Sequence, residues 1–518
     1  MRVNIGQTCK FGICSVNKLV LTILIPLMLF SQIERWVYQY NGGIYNYHDQ
    51  AKSIAYGADG NIYAAGFSKD ATWYDDLAVI SVDQNGAERW VYRYNASGST
   101  SNIAYSLVFG EDSNIYVVGW AHGASFDDLL VISLDQSGTE RWIYRSDSTV
   151  DYWEKVSSII YGADGNLYIV GESNILGSWG DFTIMSLDTN GNERWQYRYN
   201  GSGDHCDWAE SIVYGIDGNL YAAGRTWEET SKDDITVISL DQNGVERWVY
   251  QYNGPSSGLD RAHSIVCGLD GNIYIAGNSE ATGEDFVVIS LDQNGTERWV
   301  YRYNGTANNC DAAHSIAYGS DGNVYACGYS CDNNYDFFVA SLDHNGTERW
   351  MYRYDDPGTT SGFAQSILYG LDSYIYAVGR SYDANDDFTA ISLDQSGTER
   401  WVYQYNGTAD DVDCAWSGVY GLDGNIYIAG YTTDSVSTWD FTVISLNPMT
   451  AIEEGLAIVK KSEHMSATIF YGPLQLPRGN KCRLYDIAGR VVEPDKIQPG
   501  IYFIEVDGVV TQKVVKVR

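Results

Sequence analysis

The sequence predicts an all-β chain: an eight-bladed β-propeller closed by an N-terminal strand and followed by a small C-terminal β-sandwich. Three observations predict it. Glu-Arg-Trp recurs with its tryptophan at Trp36, Trp90, Trp142, Trp195, Trp248, Trp299, Trp350 and Trp401, and a repeat near fifty residues is the signature of ring-shaped or stacked repeat folds. Each copy reads as four short strands without helical periodicity. The repeated region also starts on the last strand of a unit and ends without one.

The fifth unit shows the pattern: Ser264 to Gly268, Asn272 to Gly277, Asp285 to Asp292 and Glu297 to Tyr303, here called strands a, b, c and d. Strand d alternates, with Trp299, Tyr301 and Tyr303 on one face and Val300 and Arg302 on the other, a period of two. Gln293 to Gly295 carries Asn-Gly between c and d, and Leu269 to Asn272 carries Asp-Gly between a and b; both supply the positive φ angles of tight hairpins. The recurrent tryptophans are expected to wedge between neighbouring blades. The aspartates that open strand c (Asp76, Asp128, Asp181, Asp234, Asp285, Asp336, Asp387 and Asp440) are read as caps for loop amides. A strand d at Glu34 to Tyr40 precedes any other strand, and the last unit, Ser417 to Asn447, lacks one. Pairing the two closes the ring and removes its open edges.

Outside the repeat, Arg2, Lys10 and Lys18 precede an apolar run from Leu19 to Phe30. That run is too short for a membrane-spanning helix, which needs about 20 residues, and suits a secretory signal over 1–32. The propeller then spans 33–448, a linker 449–465 and a C-terminal domain 466–518. With 67 acidic against 33 basic residues, the net charge of -34 repels phosphate backbones and argues against nucleic acid. No cofactor is evident, and the acidic surface leaves room for Ca2+. Seven of the nine cysteines lie beyond the signal and show no metal spacing. They are read as incidental thiols, or as one disulfide of Cys310 with Cys327 or Cys331.

The recurring Ala-x-Ser-Ile, Asp-Gly-Asn-Ile-Tyr-x-Ala-Gly, Asp-Phe-x-Val-x-Ser-Leu-Asp and Asn-Gly-Thr-Glu-Arg-Trp, over about residues 34–447, resemble the SBBP-type bacterial β-propeller repeat. That resemblance implies a scaffold on exported proteins, with no chemistry to carry over. Ser290 to Trp299 also resembles the tryptophan-docking motif of eight-bladed quinoprotein dehydrogenases, one residue shorter between Asp and Gly. The adjacent cysteine pair associated with the quinone site is absent from the sequence. In the tail, Leu484 to Val492, Pro499 to Ile504 and Lys513 to Val517 resemble the C-terminal sorting domain of the type IX secretion system. The resemblance implies a small β-sandwich read by that machinery, and a protein secreted or held at the outer-membrane surface of a bacterium without a stable transmembrane anchor.

In a four-stranded meander the a–b and c–d turns share one face, while the variable b–c and d–a connections share the other. Binding residues favour variable loops on a rigid frame. The eight tryptophans outside the framework (Trp73, Trp120, Trp153, Trp179, Trp208, Trp227, Trp416 and Trp439) all fall in or beside that second face. They are expected either to stack on sugar rings or to fold onto their own loops as minor cores. The start of strand a brings a second set to the channel mouth: Lys52, Tyr105, Ser157, Glu210, His263, His314, Gln365 and Ser417. These are read as polar channel lining, or as a metal or acid–base site built on the two histidines and the glutamate. No enzyme motif is present. The expected function is a surface binding propeller, a monomer, for glycans or proteins. The alternatives are an enzyme at the channel mouth (a glycan lyase, a hydrolase or a quinoprotein-like dehydrogenase) and a purely structural surface component.

Overall fold

The computed structural model describes residues 33–448 apart from short loop stretches (43–47, 70–73, 97–99, 123–126, 147–153, 175–178, 204, 307–308, 332–333, 355–360, 383–385, 410 and 434–437). In the tail it describes 468–471, 482–486, 492, 500–506 and 509–517. The described residues form strands and turns and no helix. The chain divides into two compact units, Gln32–Thr450 and a second made of Met1–Ser31 with Ala451–Arg518. The signal reading of 1–32 and the linker at 449–465 lie outside the described residues.

The larger unit is a series of four-stranded antiparallel sheets. In the fifth, Asp260–Cys267, Ile273–Glu280, Glu284–Leu291 and Glu297–Tyr303 follow one another as a meander. The last sheet is different: Cys414–Tyr420, Ile426–Thr433 and Trp439–Leu446 take their fourth strand, Glu34–Tyr40, from the other end of the repeated region. There Trp36 sits opposite Ser445 and Tyr40 opposite Phe441. Strand a of each sheet lies against strand a of the next, and Cys414–Tyr420 lies against Asp49–Tyr56. The series therefore returns on itself, as in a β-propeller.

Strands b and c are buried along almost their whole length, and the core lies between consecutive sheets. One cluster joins Tyr221, Val237, Ile275 and Ile289; across the closing seam another joins Ala51, Ile80, Tyr427 and Val443. Strand d supplies the polar fastening. Trp299 Nε1 donates to the His344 carbonyl in the next c–d turn at 3.1 Å, and Tyr301 Oη donates to Glu348 at 2.7 Å. The same pair of bonds crosses the seam, from Trp36 to the Gln84 carbonyl and from Tyr38 to Glu88. The turn glycine is required there: Gly346 has φ +79°, and a Cβ would meet the Trp299 ring at 2.5 Å.

Strands a and b run longer than the sequence pattern suggests, starting at Asp260 and ending at Glu280 in the fifth unit. The pairing slips between Ala262 and Ser264, so His263 is a bulge that interrupts the alternation. Every strand a carries this bulge, at Lys52, Tyr105, Ser157, Glu210, His263, His314, Gln365 and Trp416. The glycine of the recurrent Ala-Gly makes room for it, since a Cβ on Gly277 would lie 2.0 Å from the Arg261 carbonyl oxygen.

Of the aspartates that open strand c, Asp76, Asp128, Asp285 and Asp336 pair with strand-d arginines at 2.6 to 3.0 Å. Among the described residues, a second set of aspartates, just before or at the start of strand a, caps loop amides. Asp207 accepts from Gly201 N and Trp227 N at 2.6 Å each, and Asp413 from Gly407 N and Thr433 N at 2.5 Å. One carboxylate thus ties the d–a connection to the b–c connection, and Asp49, Asp260 and Asp311 repeat it.

In the smaller unit, Thr468–Tyr471 runs parallel to Val509–Val517, which pairs with Gly500–Val506, and that in turn with Cys482–Asp486. These four strands make one sheet.

Candidate functional site

Beyond the bulge, two further variable positions complete each unit's contribution. Two residues before each bulge and directly across from it on strand b stand pairs such as Ile103 and Trp120, Lys155 and Glu172, Trp208 and Arg225, Arg261 and Asn278, and Phe363 and Arg380. Three positions per unit, all at the loop end of the two innermost strands, therefore form a rim. Four of the sequence-selected tryptophans belong to strands at this end rather than to loops: Trp120 and Trp227 on strand b, Trp208 and Trp416 on strand a. Trp439 opens strand c. Trp73 and Trp153 lie outside the described residues. The eighth bulge residue is Trp416, not Ser417, because the slip falls between Ala415 and Ser417.

The second to fourth units bring the two candidate sets together. Tyr105, Trp120, Lys155, Ser157, Trp208 and Glu210 line one pocket of 160 Å³. Trp120 is also a wall of a neighbouring pocket of 360 Å³, lined by Tyr74, Thr100, Ser101, His122 and Asp127. Trp208 Nε1 donates to Ser157 Oγ at 2.7 Å, the Lys155 ammonium stands 5.0 Å over the Trp208 ring, and Trp120 Nε1 reaches Tyr105 Oη at 3.5 Å. Burial raises the Glu210 carboxyl above its ordinary value, against Arg225 and Arg261. Nearby, between the third and fourth units, His205 lies between Trp179 and Trp227, with ring centroids at 5.9 and 4.7 Å; Trp179 is 66% exposed.

The remaining candidates make separate groups. The Lys52 ammonium stands 4.8 Å over Trp416, and burial lowers its pKa. Trp439 packs between His48 and Tyr431 at 4.2 and 4.6 Å, a minor core of the kind expected as the alternative. His263 and His314 meet edge to face at 5.7 Å. Nε2 of His263 bonds Asn278 Oδ1 at 2.8 Å, and Nδ1 of His314 bonds the Ala364 carbonyl at 3.1 Å. Burial pushes His263 down to about 4 with His314 adding to it, and burial lowers His314 as well. Both rings are thus neutral at pH 7. Gln365 occupies the bulge of the seventh unit. Among the described residues no group of three or more His, Cys, Asp or Glu is placed to hold a metal ion.

Sequence reasoning missed the strand-b partners: Arg225, Tyr329 and Arg380. Tyr329 joins His314, Tyr335 and Phe363 in a cluster with centroids at 5.2 Å, and Arg380 stands 4.7 Å over Phe363 while bonding Asp386 at 2.7 Å. The signal was present as the one variable residue after the glycine of each Ala-Gly or Val-Gly, or Cys-Gly in the sixth unit. Cys206, Cys267, Cys310, Cys327, Cys331 and Cys414 are free thiols.

No protein-family profile matches the chain, and no curated protein matches it by sequence. Among solved structures it is similar to quinohemoprotein alcohol dehydrogenase ADHIIG from Pseudomonas putida HK5 (TM-score 0.46, 11% identity, 86% of this chain and 79% of that one). It is also similar to the periplasmic gluconolactonase PpgL of Pseudomonas aeruginosa (0.41, 14%, 64% and 96%). A third is an ulvan lyase of polysaccharide lyase family PL25 (0.41, 10%, 70% and 93%).

Proposed function

We propose that the chain is an exported eight-bladed propeller that binds glycans along the rim of its variable face. The observation that carries the reading is Trp120 standing as the shared wall of two adjoining pockets. Aromatic walls (Tyr74, Tyr105, Trp120 and Trp208) with hydroxyl, ammonium and carboxyl groups between them suit successive sugar rings, whose C–H faces stack and whose hydroxyls bond. Ligand sites range from about 300 to 1,000 Å³, and the two pockets together fall in that range.

The tail's likeness to type IX sorting domains supports export to the bacterial surface, the tail being recognised by that machinery. A glycan array followed by calorimetry, with and without Ca2+, tests the binding reading. Trp120→Ala is expected to weaken binding at least about tenfold, the equivalent of ~1.4 kcal/mol, and Trp208→Ala to do likewise. Trp439→Ala, in the minor core, is expected to leave affinity unchanged. Binding that survives Trp120→Ala undiminished would overturn the site.

A further inference from the structure

The rim has a charge balance opposite to that of the protein carrying it. Over the whole chain acids outnumber Lys and Arg by 67 to 33. Over the three rim positions of the eight units the cations are Lys52, Lys155, Arg225, Arg261 and Arg380, and the acids only Glu172 and Glu210. Ion pairing narrows this excess without reversing it: Arg225 and Arg261 share one carboxylate, Asp233, at 3.5 and 2.9 Å, Lys155 meets Glu172 at 3.9 Å and Arg380 meets Asp386 at 2.7 Å, so with Asp233 and Asp386 counted the five cations still face only four acids.

A second observation points the same way. Among the described residues, the rim side-chain atoms left buried without a hydrogen-bond partner are Arg225 Nε, Arg380 Nε and Trp416 Nε1, all of them donors. Orphaned donors are costly and are relieved by an acceptor. The cations are also set against aromatic rings three times round the rim: Lys52 over Trp416, Lys155 over Trp208 and Arg380 over Phe363. A polymer that alternates apolar sugar faces with anionic groups matches that alternation.

We propose that the ligand is a polyanionic polysaccharide, with uronate carboxylates or sulfate esters, whose sugar rings lie on the rim aromatics and whose anions meet Lys52, Lys155 and Arg380. This rests on the glycan-binding reading and adds the ligand's charge. Charge-assisted bonds are the strong ones, so the rim cations would dominate affinity while the acidic exterior excludes anions elsewhere.

The test measures binding of the full chain to a polyuronate and to a sulfated polysaccharide, each beside its chemically neutralised form (carboxyl-reduced or desulfated), at one fixed ionic strength. The expected result is binding at least tenfold tighter to an acidic form than to its neutral counterpart, with the tighter of the two acids identifying the anion. Lys52→Gln and Lys155→Gln should each reduce affinity for the acidic form several-fold, and Arg380→Lys should retain more affinity than Arg380→Gln; thermal unfolding of each variant verifies the fold. Equal binding to acidic and neutral forms would overturn this inference and leave the glycan reading standing. Binding to none of the four would overturn both.

Discussion

Replacing Trp401 by alanine should destabilise the protein more than the same change at Trp299, although the two occupy equivalent places in the repeat. Trp401 is only 6% exposed, whereas Trp299 is half-buried. The difference arises at the last sheet, which holds both ends of the repeated region. Trp299 lies over a glycine turn, but Trp401 meets Pro448, whose carbonyl accepts its Nε1 at 3.2 Å, and it shares a cluster against which Ile33 and Val37 pack. Burying ~250 Å² of indole at ~25 cal/mol per Å² bounds the gain at about 6 kcal/mol, and measured large-to-small changes of this type cost about 3 to 5 kcal/mol. Arg400 also donates to the Pro448 carbonyl at 3.2 Å, so losing the indole leaves no orphaned acceptor. The cost should therefore stay within that range at Trp401 and be roughly half as large at Trp299. Urea unfolding followed by both far-UV circular dichroism and fluorescence measures it, with agreement of the two probes checking for a single transition. A cost at Trp401 equal to or below that at Trp299 would refute the packing of residues 33–40 and 447–448 over Trp401.

Two further outcomes follow from named groups. Burial pushes Asp207 and Asp413 up to about 7, despite the two amides each accepts from. A folded carboxyl titrating above its unfolded value of ~3.9 contributes stability that is complete below that value and is lost as pH rises toward 7. The double variant Asp207→Asn, Asp413→Asn should therefore show a shallower fall in urea midpoint between pH 4 and 7 than the parent, and an unchanged slope would count against it. Cys310 and Cys331 extend by two residues the pairing of Ala312 with Tyr329, and the equivalent residues touch in other units, where Glu280 N bonds the Leu259 carbonyl at 3.1 Å. Cross-strand Cβ separations of ~4.5 to 5.5 Å come close to disulfide geometry. Oxidised glutathione should link Cys310 to Cys331, rather than to buried Cys327, releasing two equivalents of reduced glutathione. Cleavage after acidic residues, with Asp311 and Asp321 lying between the two cysteines, followed by mass spectrometry, identifies the pair. A Cys310–Cys327 link would refute the register.

What the sequence made legible and what it concealed divide at the bulge. Strand d and both tight turns were readable because their alternation and their Asn-Gly and Asp-Gly pairs are local, and the partner of Glu34–Tyr40 followed from counting strands at the two ends. The beginning of strand a was not readable. In the fifth unit the extra residue, His263, shifts the period, so Asp260 to Ala262 look like loop although they are paired. The same slip moved the eighth bulge from Trp416 to Ser417 in the pattern. The second set of capping aspartates was overlooked for a related reason. Asp207 and Asp234 look alike in sequence, and only the fold shows that two loops converge on the first, while the second receives the Ser231 hydroxyl.

The bulge also explains where this chain is free to vary. The residues flanking it are committed: the alanine before it is buried between sheets, and the serine after it accepts from the next strand a, as Ser53 does from Leu107 N at 3.2 Å and Ser315 from Ile367 N at 3.2 Å. The bulged residue has no cross-strand partner and so escapes both constraints. Within one chain it is accordingly lysine, tyrosine, serine, glutamate, histidine, glutamine and tryptophan in turn, while its neighbours barely change. A ring of repeated sheets with one unconstrained residue per sheet, and a facing pair beside it, separates the interactions that hold the fold from those that can select a ligand. Substitution at those positions changes the rim's chemistry without touching the Trp, Tyr–Glu and Asp fastenings that join one sheet to the next.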